Sequence, residues 1–465
     1  MKFKFLAAAC AALGCASAFA ATYDPATTVA AKTVYIAGAS AQKNALYATV
    51  PTTVFDTATH GVLFINGAHG EVAWLGDAKS SLGGGIMMVI YNSTNGSAAG
   101  LNQVISAGTP EAEATVLASG NLTGCGTKTA VSSPNIATEQ VTCTGPNAPR
   151  EADMALSDVY VGEFAPNLLS SGSALKTAST SASTGVEGFG IIVNAPLYNA
   201  LITKNIADGL LPASCATATA STLVVGTGNG ACQPSVRSAD YASLVTSGGQ
   251  FNSSDAFGVA AGNINLCRRD DLSGTQAASN LFFLNNVCGL FGYGGALAVV
   301  TNNVDGNAPT YNVVDADNAS TGKAEACVWS GTATGTTATA DYGVGVVSLG
   351  EKDAVDAAPA SGKPAFYFVK LDNVSPNYKA NGTYDSLHRS NILTGAYKFA
   401  TEMAAYVKST TSLTSGNGLI AKAIADDIAK ANLSDLTGIA YLAGTPAATK
   451  TARYTKGGNN CSVWQ

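Results

Sequence analysis

The residues with the clearest potential for chemistry lie in the segment 267–276, which reads CRRDDLSGTQ. It holds two arginines, two aspartates and a Ser-Gly-Thr sequence, whereas only 12% of the whole chain is charged. An arginine offers a planar, permanently charged fork of donors, and a helix start adds hydroxyl and N–H donors. This combination suits the binding of an anion. The alternative is a solvated turn in which Arg269 forms a surface ion pair with Asp270 or Asp271.

Three other turns between a predicted strand and a predicted helix carry similar residue types. They are Gly38-Ala39-Ser40-Ala41-Gln42, Asn95-Gly96-Ser97-Ala98-Ala99-Gly100 and Ser157-Asp158. The first N–H groups of a helix have no partner inside the helix and lie at the positive end of its dipole, so an anion fits there. Each turn taken alone is equally compatible with an ordinary helix cap.

The order of these four turns along the chain resembles the phosphate-binding proteins of ATP-driven phosphate uptake. Residues 269–275 (RDDLSGT) resemble the family's Arg-x-Asp-Gly-Ser-Gly-Thr, with Leu272 in place of a glycine. Residues 38–43 (GASAQK) resemble its Gly-Ala-(Gly/Ser)-Ala-Thr-Phe, with Gln42 and Lys43 as departures. Gly96-Ser97 and Ser157-Asp158 resemble its Gly-Ser and Ser-Asp, and residues 192–196 (IVNAP) resemble the strand that enters the second lobe.

The resemblance implies an α/β protein with the two-lobed class II periplasmic binding protein fold and disulfide-closed insertions. Lobe 1 would comprise residues 21–187 plus 384–465, and lobe 2 residues 188–383. Arg269 would bind two anion oxygens, Asp271 would hold its guanidinium, and Asp158 would accept a proton from the ligand. The full set of implied ligand-binding residues is Ser40, Ala41, Gln42, Ser97, Asp158, Arg269, Asp271, Ser273, Gly274 and Thr275.

The function implied is that of an exported substrate-binding protein, not an enzyme and without a cofactor or metal. It would capture inorganic phosphate or a related oxyanion in a cleft between the lobes, as a monomer, with an ATP-driven membrane transporter as a partner. Two other classes stay open, namely a secreted surface or interaction protein that keeps the fold without transport, and a phosphatase relative. His60, His69 and His388 are scattered, which makes a Ser/His/Asp set hard to assemble.

Apolar runs separated by glycine-rich turns predict the strands and helices that would position these residues. Strands are predicted at 34–37, 61–65, 86–91, 188–194, 342–347 and 365–369. Helices are predicted through 46–50, from 101, after 196, at 277–283, near 394–407 and at 417–431. The weakly patterned segments 108–150, 200–235 and 302–340 are predicted to be insertions.

The first twenty residues are typical of an export signal. Lys2 and Lys4 precede the apolar run 5–13, and Ala18-Phe19-Ala20 is a small-x-small cleavage site. The alternative is a lipid anchor at Cys15. We therefore expect a periplasmic or extracellular protein. Its net charge of −6 and the absence of a basic stripe in the sequence argue against nucleic acid and anionic membranes as partners.

Eight cysteines remain after residue 20, an even number that favours disulfides in an exported protein. Neighbours in sequence predict the pairs 125–143, 215–232 and 267–288, which leaves 327–461.

We expect all eight cysteines to be oxidised in the exported protein. Thiol labelling in denaturant, without reductant, should therefore find no free cysteine. The same protein after reduction provides the positive control, and two or more free thiols before reduction would overturn the prediction.

Overall fold

The strands and helices follow the alternation that the apolar runs predict. A computed structural model describes residues 23–25, 27–57, 61–67, 71–93, 96–105, 124–131, 137–143, 151–164, 168–169, 174–180, 183–246, 256–269, 271–284, 310–314, 321–332, 335–385, 389–430 and 439–440. The predicted export signal, Cys15 and the three histidines lie outside the described residues.

The strands of the described residues belong to one large sheet, apart from the separate pair β10–β15. They are β1 (Lys32–Gly38), β2 (Val62–Asn66), β3 (Val72–Asp77), β4 (Ile86–Asn92), β5 (Thr129–Ala130), β6 (Ala137–Thr142), β7 (Met154–Ser157), β8 (Leu175–Thr177), β9 (Gly185–Val193), β10 (Ser235–Val236), β11 (Ile264–Arg269), β12 (Thr310–Val314), β13 (Tyr342–Ser348), β14 (Tyr367–Phe368), β15 (Lys370–Leu371), β16 (Ala400–Lys408) and β17 (Ile439–Ala440).

The helices mostly follow strands, as in other layered α/β proteins. The α-helices of the described residues are α1 (Lys43–Val54), α2 (Gly96–Ile105), α3 (Ala195–Ala207), α4 (Ser238–Thr246), α5 (Gly274–Leu284), α6 (Thr321–Ser330), α7 (Ser390–Leu393) and α8 (Gly416–Lys430). Short 3-10 turns lie at Ser40–Gln42, Ser80–Leu82, Val161–Glu163, Ala213–Thr217, Ala220–Thr222 and Gly230–Cys232. The chain is thus a mixed α/β protein, as the sequence predicts.

Two sets of strands make up the large sheet. In the first set, β1 runs parallel to both β4 and β7, and β3, β2, β6 and β5 continue the sheet beyond β4. In the second set, β11 runs parallel to β12 and β13. Parallel strands place their carboxyl ends at one edge, which is where ligands bind in open α/β sheets. The four turns singled out in the sequence follow β1, β4, β7 and β11.

The two sets are joined through one pair of long strands. The first half of β9 pairs with β16, and the second half of β9 pairs with β13 of the second set. The second half of β16 pairs with β7 of the first set. All nine residues of β9 are buried. The sheet is therefore continuous, and among the described strands the β9–β16 pair joins its two parts.

Apolar side chains cover both faces of the first set. One cluster packs α1 and α8 against it through residues such as Val50, Ile420 and Ile424. The second cluster lies on the opposite face with Leu101 of α2 and continues into the second set at Ile191. Burial on both faces explains why β1 and β4 are nearly continuous apolar runs rather than alternating ones.

The predicted helix near 394–407 is wrong, because residues 400–408 form strand β16. Its sequence ATEMAAYVK contains helix-forming Ala, Glu and Met. Eight of these nine residues are buried, however, and the backbone pairs with both β7 and β9. Tertiary pairing therefore overrides a weak local preference. The other helix predicted in this part of the chain, at 417–431, is confirmed as α8.

Three disulfides lie among the described residues, and they correct part of the predicted pairing. Cys125–Cys143 and Cys215–Cys232 are confirmed. Cys267 pairs with Cys327, so the predicted pairs 267–288 and 327–461 are wrong. Cys288 and Cys461 lie outside the described residues. The error arose from pairing neighbours in sequence, whereas α6 packs across β11 and brings Cys327 to Cys267.

Two of the segments predicted to be insertions contribute to the sheet or its helices. In the segment 108–150, β6 pairs in parallel with β2 and extends the first set. In the segment 302–340, β12 pairs with β11, and α6 packs on β11 and β13. None of the helices in the described part of the chain is long and apolar enough to cross a membrane.

A substitution at Gly100 tests how closely α2 packs on the end of β1. A Cβ at Gly100 would lie 2.4 Å from the Cα of Gly38, so Gly100→Ala should lower the free energy of unfolding by about 1–3 kcal/mol. Without that contact, alanine would stabilise a helix relative to glycine. Gly126→Ala is the control, because its Cβ would meet only the Thr142 oxygen at 3.8 Å. Urea unfolding measures both, and a stabilised Gly100→Ala would contradict the packing.

Candidate functional site

The backbone at Gly38 brings the first two turns of the candidate site together. Gly38 has φ +115°, and a Cβ there would lie 2.2 Å from the Leu156 oxygen. The next residue, Ala39, donates its N–H to the same oxygen at 2.8 Å. With Gly100 against the Cα of Gly38, the 3-10 turn at Ser40–Gln42 and the start of α2 lie side by side.

Ser97, Asp158 and Gly274 form the tightest contact among the predicted site residues. The Asp158 N–H donates to the Ser97 hydroxyl at 3.2 Å, and the same hydroxyl is hydrogen-bonded to the Asp158 carboxyl. A Cβ on Gly274 would lie 2.3 Å from Ser97 Oγ and 2.7 Å from Asp158 Oδ2. Only glycine therefore lets the start of α5 approach the end of β7 this closely.

Leu272 adds a second connection between the starts of α2 and α5. The Ala98 N–H donates to the Leu272 oxygen at 2.9 Å, and Gly96 packs against the backbone of the same turn. Because α2 follows the first set of strands and α5 follows the second, this contact spans the two sets.

Arg269 joins the site through a residue that the sequence did not single out. Its Nη1 donates to Thr321 Oγ1 at 3.3 Å, and Thr321 Oγ1 lies 3.4 Å from Ser40 Oγ. Thr321 is the first residue of α6. The Cys267–Cys327 disulfide joins β11 to α6, so it supports the position of Thr321 relative to Arg269. Thr321 was missed because it lies in the segment 302–340, which has little hydrophobic pattern.

Gln42 is buried, and its side chain is used inside the protein. Its Nε2 donates to the Ser157 oxygen at 2.8 Å, and its Oε1 accepts from the Thr184 hydroxyl at 3.5 Å. The amide that replaces the family's threonine thus ties the first turn to the end of β7. Ala41 is also buried, so this turn can offer backbone N–H groups and the Ser40 hydroxyl.

The predicted partner of Asp271 differs from the one in the structure. Arg268 Nη2 forms an ion pair with Asp271 Oδ1, and Arg268 Nε donates to the Arg269 oxygen at 2.9 Å. Asp271 therefore holds Arg268 in place rather than Arg269. The side chain of Asp271 is 51% exposed, so it lies at the solvent-exposed rim of the candidate site. The motif at residues 269–275 singles out Arg269 as the candidate ligand, but sequence spacing does not decide the partner of Asp271, because both arginines lie within three residues of it.

Ser273 and Thr275 flank Gly274 at the start of α5, and both are buried. Ser273 Oγ accepts the Gln276 N–H at 3.4 Å, which is the geometry of a helix cap. The cap orients the first N–H groups of α5 along the helix axis. If Ser273 also donates its hydroxyl proton to a ligand, as the sequence predicts, it must do so while its oxygen accepts the Gln276 N–H.

Asp158 is the titratable group at the centre of the contacts. Burial raises its pKa to about 7, although the Arg269 charge and the Ser97 hydroxyl act to lower it. Only 2% of Asp158 is exposed, and within the described residues its Oδ1 has no hydrogen-bond partner. A buried carboxylate oxygen without a donor is costly, so this oxygen is available to a ligand proton or a hydroxyl.

Two further carboxyls, Glu325 in α6 and Glu351 just after β13, interact with each other and with the charges of the site. Burial and the neighbouring Glu351 raise the pKa of Glu325 to about 8, and Glu325 and Glu351 share a hydrogen bond. Burial raises the pKa of Glu351, although the Lys43 charge, the hydrogen bond with Glu325 and the Arg269 charge act to lower it. Lys43 also lies 5.4 Å from the centre of the Tyr47 ring.

Taken together, Ser40, Ser97, Asp158, Arg269 and Gly274 are brought to one place by the structure. The arrangement offers hydroxyls, a guanidinium and helix-start N–H groups around one buried carboxyl, a donor-rich set that suits an oxyanion. Among the described residues, no three His, Cys, Asp or Glu side chains are arranged to hold a metal ion.

Of the comparisons with known proteins, only the one with solved structures found similar proteins. No protein-family model matches the chain, and no curated protein matches it. A structure from Clostridium perfringens, described as a phosphate ABC transporter substrate-binding protein with bound phosphate, is 11% identical, with a TM-score of 0.42 over 87% of this chain and 99% of that one. An ABC-type phosphate transport receptor from Vibrio cholerae is 13% identical, with a TM-score of 0.33 over 82% and 88%. A possible phosphate binding protein from Planctomyces limnophilus is 10% identical, with a TM-score of 0.29 over 82% of each chain. These values are too low to transfer a ligand or a residue's role.

The raised pKa of Asp158 predicts how stability depends on pH in the ligand-free protein. The pKa is about 7 when folded against an ordinary 3.8, so the stability that comes from the neutral carboxyl is complete below about pH 4 and is lost as pH rises to about 7. Asp158→Asn cannot ionise and should keep that stability. Urea unfolding from pH 4 to pH 8 measures the free energy of unfolding of both proteins. The value for Asp158→Asn should rise relative to that of the unmodified protein up to about pH 7, and the difference should then stay constant.

Asp208→Asn is the matched control, since the Asp208 side chain is 41% exposed and lies far from the site in sequence. Its curve should run parallel to that of the unmodified protein. Parallel curves for Asp158→Asn as well would show that Asp158 is not buried as described.

Proposed function

We propose that this protein captures phosphate, or a closely related tetrahedral oxyanion, between its two sets of strands. The observation that carries the proposal is the pair of buried groups Arg269 and Asp158, around which the starts of α2, α5 and α6 lie. Each helix start adds N–H donors, and the two buried groups add a permanent positive charge and a proton acceptor. This is a binding role rather than a catalytic one.

The number of donors supports a small, highly charged ligand. An anion that leaves water needs nearly every oxygen satisfied by a hydrogen bond, or the free energy of transfer is prohibitive. Ser40 and Thr321 can supply hydroxyls from two different elements, and Ser97 would donate to the ligand by exchanging its hydrogen bond to the Asp158 carboxyl. Gly274 and Thr275 can supply N–H groups at the start of α5. The roles of these residues as direct ligands are part of the proposal.

Asp158 supports phosphate over sulfate. Phosphate near neutral pH carries at least one proton, whereas sulfate carries none. When Asp158 is ionised it can only accept hydrogen bonds, so it suits the phosphate proton and repels a sulfate oxygen. Because the pKa of Asp158 is about 7, this discrimination should strengthen above pH 7 and weaken below it.

The connection between the strand sets supports closure around the ligand. A link of two strands, β9 and β16, can bend with small changes in a few residues, which is how hinge closure works in two-part binding proteins. Export to the periplasm or the cell exterior and delivery to an ATP-driven membrane transporter complete the proposal.

Arg269→Gln should weaken phosphate binding at least about 100-fold, because a buried charge-assisted contact is lost. Thr321→Val keeps the shape of the side chain but removes its hydroxyl, and should weaken binding by about tenfold. Isothermal titration calorimetry with phosphate, at fixed pH and salt, measures both.

Arg268→Gln is the control for the arginine variant, because Arg268 pairs with the rim residue Asp271. It should stay within about threefold of the unmodified protein. Equal losses from both arginines would argue against Arg269 as the ligand, and no phosphate binding by the unmodified protein would end the proposal.

Sulfate gives the clearest test of Asp158, since sulfate does not itself titrate between pH 6 and pH 8. In the unmodified protein its affinity should rise about tenfold as pH falls from 8 to 6, because protonated Asp158 becomes a donor. In Asp158→Asn the sulfate affinity should be higher at pH 8 and almost independent of pH. A pH dependence that survives in the variant would assign the titration to another group, such as Glu187, whose pKa is also raised by burial.

A further inference from the structure

A second pocket lies away from Arg269, where the Cys215–Cys232 segment meets the chain after β15. Its volume is about 450 Å³, and its walls come from the 3-10 turn Gly230–Cys232, from residues 370–382 and from residues 391–396. Small-molecule sites usually measure about 300–1,000 Å³, so the pocket has the size of a ligand site. One wall belongs to a segment that lies outside the family resemblance.

The charge of the pocket is positive although the protein as a whole is acidic. Its thirteen lining residues, all in the described part of the chain, include Lys370 and Lys379 and no acidic residue. Lys370 is half-buried, and burial alone lowers the pKa of its ammonium group. The carboxylate of Asp385 lies 3.9 Å from the Lys379 ammonium group, and its other oxygen accepts the Ser390 N–H at 2.9 Å. The lysines favour a negatively charged occupant.

The remaining lining residues combine carboxamides with a small apolar floor. Asn391 Nδ2 donates to the oxygens of Ser375 at 2.8 Å and Tyr378 at 2.7 Å, which fixes its amide in the wall. The Tyr378 ring is buried against Gly230, where a Cβ would lie 2.5 Å from a ring carbon. Asn381 also lines the pocket. Amide groups recognise hydroxyls, and apolar lining residues such as Val374 and Ala396 accept the carbon face of a sugar ring.

One part of the rim has an unusual backbone. Asp372 and Asn373 both have positive φ, +49° and +66°, in a tight turn between Leu371 and Val374. The turn is held from outside, since Ser238 N–H donates to Asp372 Oδ1 at 2.8 Å and Asn373 N–H donates to Ser235 Oγ at 2.9 Å. Asp and Asn are the residues other than glycine that adopt this conformation most readily, as in a two-residue hairpin turn. Here the turn presents Asn373 to the pocket.

We propose that this pocket binds a small hydroxylated organic anion of the sugar-acid type, at a site separate from that of the oxyanion. The lysines meet the carboxylate, the asparagines meet the hydroxyls, and the apolar lining residues Val374 and Ala396 meet the carbon skeleton. The single anionic group is favoured because lysines bind as point charges, without the forked geometry of an arginine.

Glucuronate and glucose form the matched pair of probes, since they differ only in a carboxylate against a hydroxymethyl group. Calorimetry on the full chain should show glucuronate binding at least about tenfold more tightly than glucose. Lys370→Met and Lys379→Met should each weaken glucuronate binding by roughly three- to tenfold. Lys363→Met removes the same charge from an exposed position outside the pocket and should change nothing.

Arg269→Gln should leave glucuronate binding intact, which separates this proposal from the phosphate site. Lys379 is exposed, so its variant should fold even if Lys370→Met does not, and Lys370→Arg should retain binding. Equal affinity for glucose and glucuronate, unchanged affinity in Lys379→Met, or no binding of any probe at millimolar concentration would overturn the proposal.

Discussion

Arg269 holds a permanent positive charge at a position that is only 2% exposed, and burying such a charge is costly unless its surroundings compensate. Thr321 accepts a hydrogen bond from it, and Asp158 faces it as a carboxyl of the opposite sign. A guanidinium cannot titrate in this range, whereas burial brings the pKa of Asp158 to about 7. The balance between the two groups is therefore set by pH and by what lies between them. An oxyanion that carries a proton satisfies both groups at once.

The rest of the fold can be understood as the means of holding these two groups. Asp158 follows β7 in the first set of strands, and Arg269 ends β11 in the second. Glycines at 38, 100 and 274 allow backbones to approach where any side chain would collide, so the helix starts meet instead of being held apart. The Cys267–Cys327 disulfide ties α6 to the same strand as Arg269. An overall charge of −6 is compatible with the proposed anion site, because local donors rather than net charge would bind the ligand.

The same sheet also gives the described part of the molecule a narrow connection between its two sets of strands. Residues 185–188 of β9 pair with residues 400–403 of β16, and all nine residues of β9 are buried. The second pocket lies between the Cys215–Cys232 segment and residues 370–396, and none of its lining residues belongs to the candidate oxyanion site. The two proposed ligands would therefore contact different groups of one chain.

By itself, the sequence determined the α/β alternation, the anion-suited residue types at four turns, and two of the three observed disulfides. These features are local, since apolar runs, glycine-rich turns and nearby cysteines depend on short stretches of chain. Tertiary structure decided the contacts between residues that are far apart in the sequence. Thr321 reaches Arg269 across 52 residues, Cys327 reaches Cys267 across 60, and residues 400–408 become a strand because both neighbours pair with it. Likewise, the partner of Asp271 was decided by the fold, which pairs it with Arg268, and the pKa of Asp158 followed from burial, which no spacing of residues encodes.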